Sequence, residues 1–242
     1  MTAYFQSGTS KLKAGLIKEA IGDFEIAEEK NASIMNERDS SKPGILDGLG
    51  QCYHALKVYD RALEYYASSL KLEPTRVDFL KNRSQTYYDL KQYDDSAKDL
   101  DKALQQDPED PQVLYKLGLT YFSHEKYKKC IKTLKAALKC NPGDSYKADI
   151  FYHIGLAYCR VQKFEKSIWP YSRCVECDPA DIRFVHERAK AYQMIDYHQE
   201  SVDDFSAVID RNNRNAHAYF RRAFSLKALK VSFHLKSDFV GV

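Results

Sequence analysis

A small residue followed three positions later by an aromatic recurs along the chain. The pairs are Gly50 and Tyr53, Ser84 and Tyr87, Gly118 and Tyr121, Gly155 and Tyr158, Ala189 and Tyr192. Their spacings are 34, 34, 37 and 34 residues. A second column of small residues, Ala62, Ser96, Cys130, Ser167 and Ser201, stands four positions before Tyr66, Leu100, Leu134, Tyr171 and Phe205. A third reads Ser69, Ala103, Ala137, Cys174 and Val208, and Pro74, Pro108, Pro142 and Pro179 close four units, with Asn213 in the fifth. A fixed period of this length marks stacked copies of one supersecondary unit, none of which can bury its apolar face alone. Gly8, Ala20, Phe24 and Ala27 extend the frame backwards; Tyr219, Ala223, Leu226 and Phe239 extend it forwards. The units are therefore 1–34, 43–76, 77–110, 111–144, 148–181, 182–215 and a partial 216–242, with inserts 35–42 and 145–147.

Composition agrees with a helical array. Gly is only 10 and Pro only 7 of 242 residues, while Tyr reaches 18, as expected if helices are rarely broken and Tyr fills a recurring slot. A net charge of +3 is too balanced for a chain whose task is neutralising many phosphates. No apolar run is long enough to span a bilayer, and Met1-Thr2-Ala3-Tyr4-Phe5 is not a secretory signal. Six cysteines without such a signal read as reduced thiols in an intracellular, cytoplasmic chain.

The stretch Leu49-Gly50-Gln51-Cys52-Tyr53, then Ala62 to Tyr66, then Pro74, resembles the tetratricopeptide repeat, as do Leu117-Gly118, Tyr121, Leu134, Ala137 and Pro142. The resemblance covers essentially the whole chain. It implies an all-α, right-handed α-solenoid of about seven tetratricopeptide helical hairpins, the last incomplete. Small residues would sit where helices approach closely, tyrosines would fill the gaps between helices, and Pro would end each second helix.

Three places depart from the pattern. The first unit has Lys11 in its aromatic slot and Ala32 in place of Pro. Neither end carries a polar cap, which points to a chain cut from a longer array or to ends covered by a partner. Lys230-Val231-Ser232 reads like translation through a splice donor, although Leu235 and Phe239 still land on repeat positions. Pro170, beside Trp169, falls inside a second helix, where it should delete one backbone hydrogen bond and kink the helix.

No phosphate-cradling loop, dinucleotide fingerprint or nucleophile elbow is present, and no histidine pair has metal-binding helical spacing. Cys174 and Cys177 are the only close cysteine pair and read as packing residues. The chain is therefore expected to be neither an enzyme nor a holder of metal or cofactor.

In tetratricopeptide proteins the first helices line a concave groove that takes extended peptides. Projected here, the groove set is Lys81, Asn82 and Gln85, then Tyr115 and Lys116, then Tyr152 and His153. Arg183, His186, Glu187 and Lys190 continue it, followed by Phe220 and Arg221. Basic residues interleaved with aromatics suit an acidic or aromatic-bearing peptide. The family's clamp for chaperone carboxylate tails is not expected: its slots hold Lys81, Gln85, Lys116, Asp149 and His153, only the opening Lys fits, and Asp149 would repel a carboxylate. Two outer stripes stand out: Lys128, Lys132, Lys135 and Lys139 in the fourth unit, and Asp94, Asp95, Asp99 and Asp101 in the third. They read as solvated faces with some ion pairs between units, or as docking to an acidic polymer such as a tubulin surface, with RNA the weaker case for want of exposed stacking aromatics. The expected function is a non-catalytic scaffold or adaptor that binds a protein or peptide in the groove, without membrane insertion or nucleic acid. The alternative is a structural component of a large assembly, for example ciliary or microtubule-associated, packed or self-associating through its bare ends and outer helices.

Overall fold

The computed structural model describes residues 2–33 and 41–239, with side chains at 3–30, 41–143 and 146–230. All the described elements are α-helices: α1 (Thr2–Lys13), α2 (Ile17–Ser33), α3 (Lys42–Ala55), α4 (Tyr59–Leu72), α5 (Val77–Asp89), α6 (Tyr93–Leu104) and α7 (Pro111–Ser123). They continue as α8 (Tyr127–Lys139), α9 (Asp144–Arg160), α10 (Phe164–Cys177), α11 (Ile182–Met194), α12 (His198–Arg211) and α13 (Ala216–Phe239). They form two compact units, Met1–Thr120 and Tyr121–Val242, the division falling inside α7.

The all-α hairpin array expected from the repeat is what forms. In the N-terminal unit the hairpins are α1/α2, α3/α4 and α5/α6; in the C-terminal unit they are α9/α10 and α11/α12, with α13 packed on both helices of the latter. Each hairpin closes because a small residue of the first helix lets a large one of the second lie across it. A Cβ added at Gly50 would stand 2.7 Å from the Tyr66 ring, and one at Gly155 only 2.5 Å from the Tyr171 ring. Both rings are buried, as are Leu100, Leu134 and Phe205 in the same column. In the first hairpin Phe24 fills this place and is clustered with Ala20, Ala27, Ile45, Leu49 and Cys52. Lys11, standing where later units carry an aromatic, instead ion-pairs with Asp23 at 2.8 Å.

The turns between first and second helices share one geometry. Gly15, Lys57, Lys91, Glu125, Gln162 and Asp196 all lie in the left-handed region, with φ between 57° and 78°. In each case the next residue's N–H donates to the carbonyl five positions back, from Leu16 to Lys11 (2.9 Å), Val58 to Tyr53 (2.9 Å) and Gln92 to Tyr87 (2.8 Å). The same bond runs from Lys126 to Tyr121 (2.8 Å), Lys163 to Tyr158 (2.9 Å) and Tyr197 to Tyr192 (3.0 Å). This is the Schellman closure, which satisfies carbonyls that a helix end would otherwise leave bare. Only Gly adopts this backbone without a steric cost of roughly 1–2 kcal/mol. Asp196→Gly and Glu125→Gly are therefore each expected to raise stability by about 0.5–1 kcal/mol after the extra freedom of the unfolded chain is subtracted. Urea unfolding of the two single variants and their combination checks this, and loss of stability in both would refute it.

Two hairpins also carry a buried ion pair sixteen residues apart. Arg83 donates to both oxygens of Asp99 at 2.7 Å, and Arg188 does the same to Asp204 at 2.8 Å. Asp99 therefore does not belong to a solvated outer stripe: it is 3% exposed and committed to its own hairpin. Burial opposes the charge on Arg83, but the bidentate contact with Asp99 prevails and raises its pKa.

α10 runs unbroken through Pro170, whose side chain is buried, while Trp169 is 59% exposed and edge-on to Phe151. α13 runs unbroken through Lys230, which stands 34 residues after the turn residue Asp196. Over its described residues, 216–239, the last unit is therefore a single long helix without a turn. Its sequence offers a reason: where every earlier second helix has a small residue at the crossing, position 235 is Leu. The insert 35–42, apart from Ser41 and Lys42, lies outside the described residues, as do the side chains of 231–242 on which the reading of the tail rests.

Candidate protein-binding surface

In the N-terminal unit the expected groove residues belong to α5 and α7. Lys81 Nζ lies 3.3 Å from Asp78. Asn82 donates its amide to both Asp47 oxygens at 3.2 and 2.9 Å, and Gln51 donates to the same carboxylate at 2.7 Å. Gln85 donates to Asp89 and accepts from Lys116, each at 3.0 Å; Tyr115 is half-buried beside them in sequence. The structure thus joins Lys81, Asn82, Gln85 and Lys116 with Asp47, Asp78 and Asp89 into a polar ladder between successive hairpins. Asp47 is 5% exposed, and burial pushes its pKa up to about 6 against the two amide hydrogen bonds. Burial, helped by the neighbouring Lys81 charge, lowers the pKa of Lys116.

In the C-terminal unit the remaining set comes from α9, α11 and α13. Tyr152 packs on Phe184 with ring centroids 5.5 Å apart, and the Arg183 guanidinium lies 6.0 Å from the Tyr152 ring. Arg183 also donates to the Asp181 carboxylate at 2.9 Å, which holds that carboxyl below its usual range. His153 donates from Nδ1 to the Asp149 carbonyl at 2.8 Å and meets the Phe122 ring edge-on. Lys190 pairs with Glu187 at 2.7 Å, His186 Nε2 lies 3.1 Å from His217 Nδ1, and Arg221 donates to Gln193 at 2.8 Å. Burial works against the Glu187 charge, but hydrogen bonds from His186 and Lys190 outweigh it and lower its pKa. Phe220 stands apart from these contacts, 70% exposed.

A cavity of about 380 Å³ opens among three of these helices and the start of α10. Leu156, Phe164, Ala191 and Met194 give it apolar walls, and Arg160, Lys190, Arg221 and Glu187 give it a charged rim. Lys190 and Arg221 belong to the expected groove set; Leu156, Arg160, Phe164 and Met194 do not. A sequence signal for two of them existed: Leu156 precedes Lys190 by 34 residues, and Arg160 precedes Met194 by 34.

The cysteines do structural work where they are buried. Cys174 is fully buried and donates its thiol to the Ala148 carbonyl at 3.3 Å, whereas Cys177 is exposed. Burial pushes the Cys52 thiol up to about 11 and Cys130 to about 12, far from the reactive thiolate range. Among the described residues no group of three or more His, Cys, Asp or Glu could hold a metal ion, and no helix is long and apolar enough to cross a membrane.

Family models described as "TPR repeat" and "Tetratricopeptide repeat" match residues 85–124 and residues 44–76 and 111–144. No curated protein matches the chain. Among solved structures, a tetratricopeptide repeat protein from Parabacteroides merdae is similar with a TM-score of 0.69 and 18% identity, over 100% of this chain and 93% of that one. MamA is similar with a TM-score of 0.66 and 24% identity, over 73% of this chain and 95% of that one. YrrB, described as a TPR protein with an unusual peptide-binding site, is similar with a TM-score of 0.67 and 16% identity, over 83% and 97%. The repeat, its hairpins and these matches agree on the fold, an array of helical hairpins in which residues 44–76 and 85–144 match the tetratricopeptide repeat.

Proposed function

We infer that the protein is a non-catalytic interaction scaffold and that the C-terminal unit takes a peptide in the cavity between α9, α11 and α13. Tetratricopeptide repeats mediate protein–protein interactions, and the cavity is the observation that gives this chain a place to do so. Its apolar walls fit one aliphatic or aromatic side chain, and its rim fits an adjacent carboxylate. Because Lys190 and Arg221 are already held by Glu187 and Gln193, they are pre-positioned, and binding orders few side chains. The ligand's apolar residue then supplies affinity, and its acid supplies orientation.

Peptide display against the full chain tests the reading. Selected peptides are expected to share an apolar residue beside an acidic one. Met194→Glu, which places charge on the wall at an exposed position, is expected to weaken them about tenfold or more, with helicity unchanged. Peptides that bind Met194→Glu and Lys190→Glu as tightly as the parent chain would overturn it. The second reading, an assembly component, draws support from α13, where Phe220 and Phe224 are 70% and 57% exposed one helical turn apart. It requires concentration-dependent self-association that Phe220→Ser with Phe224→Ser abolishes.

A further inference from the structure

The cations of the expected groove are neutralised or hydrogen-bonded within the chain; a stripe of lysines without acidic partners among the described residues lies elsewhere, on α8. α8, Tyr-Lys-Lys-Cys-Ile-Lys-Thr-Leu-Lys-Ala-Ala-Leu-Lys, contains five lysines and no acid. Lys128, Lys132, Lys135 and Lys139 fall within about 60° of one another around the helix axis and run about 16 Å along it. All four are exposed, and Cys130, Leu134 and Ala137, on the opposite face, are buried. Among the described residues no carboxylate pairs with any of them. The contacts recorded along this face are to neutral groups: Lys135 donates to the Tyr158 hydroxyl at 2.9 Å, and the nearby Lys129 lies 5.5 Å from the Tyr121 ring.

A second observation is independent of the stripe. The other second helices place an acid in their first turn, where it favours the helix dipole: Glu19 in α2, Asp60 in α4, Asp94 and Asp95 in α6, Glu165 in α10 and Glu200 in α12. α8 has Lys128 and Lys129 there instead, against the dipole. The first-turn charge of this helix thus works against its own stability.

We propose that the outer face of α8 docks an acidic α-helical segment of another protein. The lysines follow a four–three–four spacing, and another helix lying alongside, with carboxylates at i, i+4, i+7 and i+11, repeats that spacing. The face lacks the exposed apolar side chains that an interfacial membrane helix inserts, and its tyrosines lie beneath lysines, where they offer no stacking platform to a nucleic acid. This surface is separate from the cavity, so either can fail without the other.

Fluorescence anisotropy with the full chain tests the proposal. The probe is an alanine-rich helical peptide of about 16 residues carrying four glutamates in the i, i+4, i+7, i+11 stripe. Its comparators are the isomer with the glutamates scattered around the helix, an oligothymidine of equal charge, and phosphatidylcholine vesicles containing phosphatidylserine. The striped peptide is expected to bind, to weaken steeply between about 50 and about 300 mM salt, and to bind about fivefold better than its isomer. Lys128→Glu, Lys132→Glu, Lys135→Glu and Lys139→Glu together should weaken it at least about tenfold, and Lys190→Glu should leave it unchanged. The double variant Lys128→Glu with Lys132→Glu restores an acid to the first turn, so its melting temperature should not fall, and it keeps the test valid if the quadruple variant loses helicity. Equal binding of stripe and isomer, binding indifferent to charge reversal, or tighter binding of the oligonucleotide or vesicles overturns the proposal.

Discussion

Tyr171→Ala is expected to destabilise the C-terminal unit by about 3–5 kcal/mol, the range for removing a large buried ring. Tyr171 is fully buried in the α9/α10 hairpin, crossing α9 at Gly155, and its hydroxyl lies 3.6 Å from Cys159 Sγ. The converse change, Gly155→Ala, thrusts a methyl to 2.5 Å from the same ring and should cost about 1–3 kcal/mol. The pair should not behave additively. Tyr171→Leu makes room for the new methyl, just as Leu100 fills this column in the α5/α6 hairpin, whose first helix carries Ser84. The double variant Gly155→Ala with Tyr171→Leu should therefore be more stable than the sum of its singles by about 1 kcal/mol or more. Urea unfolding followed by circular dichroism measures the parent chain and all four variants. A Tyr171→Ala loss below about 1 kcal/mol, or strict additivity, would show that the ring does not set the hairpin's closure.

Asp47→Asn is expected to stabilise the N-terminal unit at neutral pH and to remove a pH dependence. The carboxyl of Asp47 is buried, so the folded chain raises its pKa from 3.8 to about 6. Between those values the folded protein holds a proton that the unfolded protein has released, and stability must fall as pH rises through that window. The contribution is thus most favourable below pH 3.8 and is lost as pH rises through about 6. Asn has no charge to bury and still accepts from Asn82, so at pH 7.5 the variant should be more stable by on the order of 2–3 kcal/mol. Below about pH 4 the two proteins should converge. Melting curves of both across this range decide it: a wild-type chain that gains stability relative to the variant from pH 4 to 7 would refute the burial argument.

The fold could be read from the sequence because its determinants recur at one spacing. Small residues at Gly50, Gly155 and Ala189 and large ones at Tyr66, Tyr171 and Phe205 are the same pair written three times, and repetition exposes it. The turns were less legible. Their left-handed residues are Gly15, then Lys57, Lys91, Glu125, Gln162 and Asp196, and only the first has the chemistry that marks such a backbone. The candidate surface was legible in position and not in state. Lys81, Lys190 and Arg183 read as available cations, but each lies within three residues of an acid on its own helix or cap, and each is paired with it. Asp99 read as an outer-face acid and Asp47 carried no signal at all, because nothing in a single sequence reveals that a partner 16 or 35 residues away draws each into the interior. Phe164 falls outside the groove columns and lines the cavity only because the turn brings the start of α10 back to α9.

The turn geometry also separates two jobs that loops in other folds combine. Backbone groups alone close each hairpin, so the side chains at positions 57, 91, 125, 162 and 196 are left out of the closure. Lysine, glutamate, glutamine and aspartate all occur there with the same hydrogen bonds. Each of these turn residues can therefore be rewritten, in charge or in size, while its hairpin keeps its register. A protein built this way can change what its turns present without renegotiating how it folds.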